Sequence, residues 1–350
     1  MAMNLTELSK ELGYSVSVIS RAMNPNPDRS CTISLATRQK IRRLASEFDF
    51  QRNYVASCVR KKRFASIGVF LPSFCRSLIC DAVIGMSTIS AEHNLSLNFY
   101  FGNNDDLLAF LQKVNQQENL GIIVYYHNSL RAEKESTQQL KNFCHKNGKV
   151  VLFNTDPGDT RFAEELATGQ MAIIKFDDYD GGSKAGAYLH SLSCSDYLAL
   201  SFMSPYFTER VRGFSDFFSS RQVPFTVEKL FIPSEHRSLD LQGIFSVLSR
   251  HRHCSKLGLF VPSDYYLLDC LSIAEELNFQ VGRNLHIIGY DNCDFLTHIN
   301  KEIASMEQNF NFAGCRAMQM MIEMLNGENV TSESLKTKLV CLCEKRCLND

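Results

Sequence analysis

From residue 66 onward, short apolar runs alternate with stretches of helical period, and this alternation limits what the chain can fold into more than any other feature. The runs occupy residues 67–71, 95–100, 121–125, 150–153, 172–176, 197–202, 257–261 and 286–289. Apolar strands of this length, interleaved with helices, predict parallel sheets covered by helices. Eight strands exceed one comfortable sheet and are consistent with two. Open sheets of this kind take ligands beyond the carboxyl ends of their strands, so two facing sheets would hold a ligand in the cleft between them. The end of the chain reads as one further short strand over 339–342. No leucine heptad follows Gly327, so a dimer is expected rather than a tetramer assembled by a C-terminal coiled coil.

The residues before this region carry another pattern and another charge. Leu5, Leu8 and Leu12 recur at helical spacing behind a capping box of Asn4 and Glu7, and the run stops at Gly13. Ser15 caps a second helix that turns Val18, Ile19 and Met23 inward and leaves Val16, Ser17, Ser20, Arg21 and Asn24 on or near the other face. Pro25-Asn26-Pro27 ends it. A third helix is predicted from Ser34, with Ile41, Leu44, Ala45 and Phe48 inward and Arg38, Lys40, Arg42 and Arg43 largely outward. Two short helices joined by a glycine turn, plus a third, make a helix-turn-helix domain or, read more plainly, a three-helix adaptor. Cut at Arg63, the head has 12 Lys and Arg against 5 Asp and Glu, and the rest has 25 against 33, so the near-neutral total hides a basic head and an acidic body. That asymmetry suggests a polyanion as partner of the head alone.

In order and spacing, Gly13-Tyr-Ser-Val-Ser-Val-Ile-Ser-Arg-Ala-Met-Asn24, Ile33-Ser-Leu-Ala-Thr-Arg38 and Asn53-Tyr-Val-Ala56 resemble the head of the lactose-repressor family of bacterial regulators. The resemblance implies double-stranded operator DNA as partner, with Val16, Ser17 and Arg21 at base-reading positions and Ser20 beside them. Ser15, Asn24, Thr37 and Asn53 take positions that contact or orient on the DNA backbone. It also implies a hinge from about Asn53 to Arg60, containing Tyr54 and Ala56, that turns helical on the operator with two copies side by side in the minor groove. Val59 is its wedge into a base step, where the family usually has the longer Leu. Arg60-Lys-Lys-Arg63 reads equally as a phosphate contact or as a solvated linker.

The body continues the resemblance through Phe176-Asp-Asp-Tyr-Asp-Gly-Gly182, Arg210-Val-Arg-Gly-Phe214, Val261-Pro-Ser-Asp264, Ile287-Ile-Gly-Tyr-Asp291 and residues 308–314. It implies an all-α helix-turn-helix head at 1–50, a hinge and linker at 51–64, and an α/β bilobal body of type I periplasmic-binding-protein fold at 65–350. The N-lobe is expected at about 65–171 and 295–329 and the C-lobe at about 172–294 and 330–350, with crossings near residues 171, 294 and 330. By the same match Arg210 and Asp291 bind the effector; forked groups of opposite charge suit a polyol, because each engages two neighbouring hydroxyls. The two also read as a structural pair closing the cleft. Asn154, Ser263 and Gln308 take other pocket positions, with Phe310 as a stacking or packing surface. Ser263 stands where Asn is common, and Arg76-Ser77-Leu78-Ile79 replaces Asn-Pro-Phe-Phe at the first pocket loop. Arg76 is then either a contact for an acidic or phosphorylated sugar or a cation pointing to solvent. The family's mode of action implies a homodimeric repressor of sugar-utilisation genes on a pseudo-palindromic operator.

Other chemistries find less support. His251-Arg-His253-Cys254 and Cys341-x-Cys343-x-x-x-Cys347 carry metal-type donors but lack the paired CxxC spacing of a zinc site, so no metal is expected. Cys341 and Cys343 alternate on a predicted strand and would share one face. Asp177, Asp178 and Asp180, followed by Gly181-Gly182, favour a helix start over a catalytic pair. No nucleophile elbow, phosphate loop or metalloprotease motif points to an enzyme, and no cofactor is expected. Thirteen scattered cysteines without a signal peptide, and no apolar run long enough for a membrane span, lead us to expect a reduced, cytoplasmic chain. The alternative is a sugar-binding transport or chemosensory receptor, which would need that signal peptide.

Overall fold

A computed structural model of the chain describes residues 5–23, 33–48, 66–73, 76–117, 119–126, 133–155, 160–202, 205–230 and 241–342. Asn4, Asn24, the Pro25-Asn26-Pro27 turn, hinge residues Asn53, Tyr54, Ala56 and Val59, the basic run to Arg63, and Cys343 and Cys347 lie outside the described residues.

Among the described residues, three helices form the head: α1 (Leu5–Leu12), α2 (Val16–Ala22) and α3 (Leu35–Glu47). Ser15 caps α2, its hydroxyl accepting the Val18 N–H at 3.3 Å, and Ser34 does the same for the Thr37 N–H at 3.2 Å. Leu8, Ile19, Ala22, Ile41 and Ala45 are buried together, one stripe from each helix. Burying a Leu or Ile side chain contributes about 1.5–3 kcal/mol, so Leu8, Ile19 and Ile41 are the main contributors, with Leu5, Leu12, Tyr14, Val18, Met23 and Ile33 packed partly buried around them. Arg42 adds a tie, donating from Nε to the Ala22 carbonyl at 3.1 Å. The inward assignment of Phe48 fails. It follows the last residue of α3, beyond the buried Ile41–Ala45 stripe, and is 41% exposed.

The chain divides into two compact units, Met1–Lys175 with Phe310–Glu333, and Phe176–Asn309 with Ser334–Asp350. Behind the head, the first unit has β1 (Ser66–Pro72), α4 (Arg76–Glu92), β2 (Ser96–Gly102), α5 (Asn104–Gln117) and β3 (Gly121–Tyr125). It continues with α6 (Glu133–His145), β4 (Lys149–Phe153), α7 (Ala163–Ala167) and β5 (Met171–Phe176). The second unit has α8 (Asp178–Ser191), β6 (Asp196–Phe202), α9 (Pro205–Ser219), β7 (Thr226–Leu230) and α10 (Leu241–Arg250). It continues with β8 (Leu257–Phe260), α11 (Asp264–Glu276), β9 (Leu285–Asp291) and β10 (Ile303–Glu307). The chain then returns for α12 (Phe310–Leu325) and ends, among the described residues, with β11 (Glu333–Leu335) and β12 (Lys338–Cys341).

The described strands form two six-stranded sheets, one ordered β11-β5-β4-β3-β1-β2 and built on β1 to β5 of the first unit, the other ordered β12-β10-β9-β8-β6-β7 in the second. The pairings joining β1 to β5 and β6 to β10 are parallel, and β12 runs antiparallel to β10. Both sheets are thus doubly wound, with a reversal of winding between β1 and β3 and between β6 and β8. Central strands such as β1 and β3 are buried along their whole length, as helices on both faces require. Edge strand β2 is largely half-exposed, and β7 is mostly polar and half-exposed.

The expected lobe boundaries shift for reasons of pairing. The crossing near 171 moves to 175/176, because β5 stays in the first sheet with Met171 to Ile174 registered on Val150 to Phe153 of β4. The crossing near 294 moves to 309/310, because Ile303 to Glu307 form β10 against β9. The third moves from 330 to 333/334, where β11 joins the edge of the first sheet. Arg316 of α12 fixes that last point, donating from Nε to Glu333 at 2.8 Å and from Nη1 to Glu323 at 2.6 Å.

Candidate functional site

In the second unit, Arg210 gathers four neighbours at the carboxyl ends of β8, β9 and β10 and a fifth, Asp178, at the start of α8. It lies on α9, directly after β6, and is 6% exposed. Its Nη1 donates to the Pro262 carbonyl at 2.7 Å and to Asp291 Oδ1 at 3.0 Å; Nη2 donates to Gln308 Oε1 at 3.1 Å and Nε to Asp178 Oδ1 at 3.2 Å. The guanidinium lies 3.9 Å over the ring of Tyr290, whose hydroxyl also donates to Asp178 at 2.9 Å. Gln308 closes the circle with Nε2 on Asp178 at 2.9 Å. Ser263 caps no backbone at the start of α11, because its hydroxyl donates to Asp291 Oδ2 at 2.7 Å instead.

Two close approaches make this possible. A β-carbon at Gly182 of α8 would fall inside the Arg210 carbonyl oxygen, and one at Gly213 of α9 inside the Tyr179 carbonyl oxygen. The two helices therefore touch backbone to backbone, which brings Asp178 at the head of α8 within reach of Arg210. Gly289 on β9 has no room for a β-carbon either, since the buried carboxylate of Asp264 fills that space.

Asp291 ends β9 with φ at 107°, a conformation that costs a non-glycine residue of order 1–3 kcal/mol. Asp264 holds the turn, accepting the Cys293 N–H at 2.9 Å and the Ser305 hydroxyl, while Ser305 Oγ accepts the Asn292 N–H at 3.0 Å. Burial raises the pKa of Asp291 to about 6, against the downward pull of the Arg210 charge and the Ser263 hydroxyl. Burial and the charge of Asp291 together push Asp264 well up as well. A carboxyl raised in the folded state binds its proton more tightly there than in the unfolded chain, so its stabilising contribution is full below the ordinary carboxylate range and is lost as pH rises through about 6. The stability difference between the wild type and Asp291→Asn should therefore shrink with rising pH up to about 6 and then level off. Urea unfolding at stepped pH measures it, and parallel pH profiles would show that Asp291 does not titrate in that window.

A ligand can enter such a cluster only by exchanging hydrogen bonds. It must offer donors to Asp291 and Asp178 and acceptors to Arg210, and a hydroxyl does both. Adjacent hydroxyls on a sugar ring fit this requirement better than any group of single polarity.

The structure thus brings together Arg210, Asp291, Ser263 and Gln308 and adds Asp178 and Tyr290. The helix start at the acidic run is observed, with Asp177 as its cap accepting the Asp180 N–H at 3.0 Å. Asp178 does more than lie beside that cap, and its place one residue after it was the available signal. Asn154 and Phe310 belong to the first unit. Asn154 follows β4 with φ at 58° and donates from Nδ2 to the Tyr125 hydroxyl at 2.8 Å, while the ring of Phe310 packs 6.0 Å from that of Phe153. Arg76 is the first residue of α4.

In the head, Val16, Ser17, Ser20 and Arg21 are exposed along one face of α2, and Ile19 and Ala22 are buried on the other. Arg21 folds back to donate from Nε to the Ser17 carbonyl at 3.3 Å, and the Ser15 and Ser17 hydroxyls lie 3.0 Å apart. Thr37 pairs its hydroxyl with that of Ser34 at 2.8 Å.

Residues 188–344 match the family of periplasmic binding protein-like domains. The chain is 24% identical over 341 residues to catabolite control protein A of Priestia megaterium, covering 94% of this chain and 95% of that one. It is 22% identical to the sucrose operon repressor of Pediococcus pentosaceus, over 96% and 97% of the two chains. Among solved structures it resembles a lac repressor dimer bound to operator and the anti-inducer ONPF, with a TM-score of 0.66, 17% identity and 97% and 98% of the chains covered. A complex of the transcriptional regulator CelR with cellobiose matches with a TM-score of 0.65, 15% identity and the same coverage. Among the described residues no helix is long and apolar enough to cross a membrane.

Proposed function

We propose that this chain, which belongs to the lactose-repressor family, is a sugar-responsive transcriptional repressor that binds a pseudo-palindromic operator as a homodimer and acts by binding rather than by turnover. The observation that carries this reading is the Arg210–Asp291 cluster, placed at the carboxyl strand ends of a doubly wound sheet in a chain that also presents a helix-turn-helix face. Relatives that repress a sucrose operon or bind cellobiose support a sugar as the effector. Asp291 and Arg210 would meet its hydroxyls with help from Ser263 and Gln308; Asn154, Phe310 and Arg76 are further proposed contacts. Exposed Ile84 and Phe312 on the first unit, and Leu241, Phe245 and Leu268 on the second, offer apolar area for a second copy. The effector would act through unequal affinity for two arrangements of the dimer, inside the cell where operator DNA is.

On DNA, Val16, Ser17, Ser20 and Arg21 would face base edges in the major groove, with Ser15, Asn24, Thr37 and Asn53 on the backbone and Tyr54, Ala56 and Val59 in the hinge. Replacing Arg21 with Ala is expected to weaken specific operator binding by about 1 to 3 kcal/mol. Titration of the chain's own promoter DNA against a random duplex, at fixed salt and with a panel of sugars, tests both halves of the proposal. Equal affinity for the two duplexes would remove the DNA half; operator binding untouched by every sugar and sugar phosphate would remove the effector half.

A further inference from the structure

We propose that Asp196, His251 and Cys254 form a zinc-binding site at the end of the second unit's sheet opposite the Arg210 cluster. Asp196 is the first residue of β6, and His251 directly follows α10. The turn from His251 to Cys254 is closed by the Cys254 N–H on the His251 carbonyl at 3.0 Å. Ser195 fastens that turn to the strand, its N–H on the Lys256 carbonyl at 2.8 Å and its hydroxyl accepting the Lys256 N–H at 3.1 Å.

Between these anchored segments, one ligand atom from each of the three side chains falls within 4.8 Å of the other two. Asp196 Oδ1 accepts the Tyr197 N–H at 2.9 Å, and Oδ2 meets His251 Nδ1 at 2.7 Å and Cys254 Sγ at 3.3 Å. Imidazole nitrogen, thiolate and carboxylate oxygen are the three donor types of zinc sites. One thiolate and one carboxylate also neutralise a divalent cation, which suits a site where His251 is only 11% and Asp196 30% exposed. Exposed His253, one residue from Cys254, or a water can complete a tetrahedron. On binding, the thiol loses its proton to solvent, and the imidazole proton moves from Nδ1 to Nε2, so one proton is released per cation. A nucleophilic role fits less well: the thiol is bonded to a carboxylate rather than to the imidazole, and burial together with Asp196 holds its pKa up at about 11. Paired CxxC spacing is no guide to this site, because Asp196 lies 55 residues from His251 in sequence and only the sheet brings it there.

The test uses the full chain, reduced and stripped of metal, with Zn(II) titrated against a chromophoric chelator and Co(II) as a spectroscopic probe. The wild type should bind one more equivalent of Zn(II) than Cys254→Ser, and its Co(II) complex should show a thiolate-to-cobalt absorption that this variant lacks. Affinity should rise about tenfold per pH unit above about pH 7, reflecting the single proton released. His251→Gln keeps the thiol and should bind at least about tenfold more weakly; it decides the matter if the serine variant does not fold. Equal stoichiometry, spectra and affinity in the wild type and His251→Gln would overturn the site.

Discussion

Replacing Arg210 with Ala should destabilise the chain by about 3 to 5 kcal/mol, the range for breaking a buried ion pair from one side, and should abolish the response to effector. The magnitude follows from what is left behind. Asp291 and Asp178 lose their shared cation, and Gln308 Oε1 and the Pro262 carbonyl lose a donor. Hydrogen bonds from Ser263, Tyr290 and Gln308 remain, but they supply no positive charge. The loss should also depend on pH in a defined sense. The Arg210 charge pulls Asp291 down toward its value of about 6, so without it the carboxyl titrates higher and is neutral at mild acidity. The penalty should therefore be smaller at about pH 5 than at about pH 8, and Asp291→Asn in the same chain should recover part of it. Scanning calorimetry of the full chain reads both effects. A pH-independent penalty would mean that packing over Tyr290, rather than charge, is what Arg210 supplies.

The second large effect is expected at Gly182, a residue with no polar side chain and no direct place in the cluster. A methyl group there must push the Arg210 carbonyl away, and α9 carries that carbonyl and the Arg210 guanidinium on one rigid element. Overpacking of this kind costs about 1 to 3 kcal/mol for one added carbon and more for a branched side chain. Gly182→Val should therefore lower the melting temperature further than Gly182→Ala, and both should weaken effector binding by separating Arg210 from Asp178. Ala187→Val, at an exposed position of the same helix, is the control for helix propensity and should change little. Melting temperatures of the three variants, with binding measured beside them, separate the contributions; a Gly182→Ala protein that melts and binds like the wild type would show that α8 and α9 part freely.

Central strands were legible in the sequence because burial on both faces forces continuous apolar runs, as in β1 and β3. Strands β7, β10 and β11 were not. Thr226–Leu230 is half-exposed at a sheet edge, Ile303–Glu307 mixes small and polar residues, and Glu333–Leu335 is only three residues long. Missing β10 displaced a crossing by fifteen residues, from 294 to 309, since the partner of a strand is not written in the strand itself. Among the described residues of the head, the Ser15 cap and the buried Ile19 and Ile41 were legible because caps and the i, i+3 stripe are local, whereas Phe48 proves exposed and Leu44 only half-buried. In the cluster, Arg210, Asp291, Ser263 and Gln308 converge, whereas Asp178 and Tyr290 were passed over. Each has an ordinary local explanation, a helix start and a strand-end aromatic, and only the close approach of α8 to α9 gives them a second role.

Neither unit is a continuous stretch of chain, and this has a consequence for synthesis. A ribosome adding about 5 to 20 residues per second delivers β1 to β5 early, yet α12, which belongs to the same unit, follows only after all of β6 to β10 has emerged. The second sheet then waits for β12 at Lys338–Cys341. Each sheet lacks a strand until residues 333–341 have emerged, so stalling or truncation after Gly327 yields two incomplete units rather than one finished and one missing. Nascent chains arrested there should be more open to protease and to chaperones than those extended past Cys341.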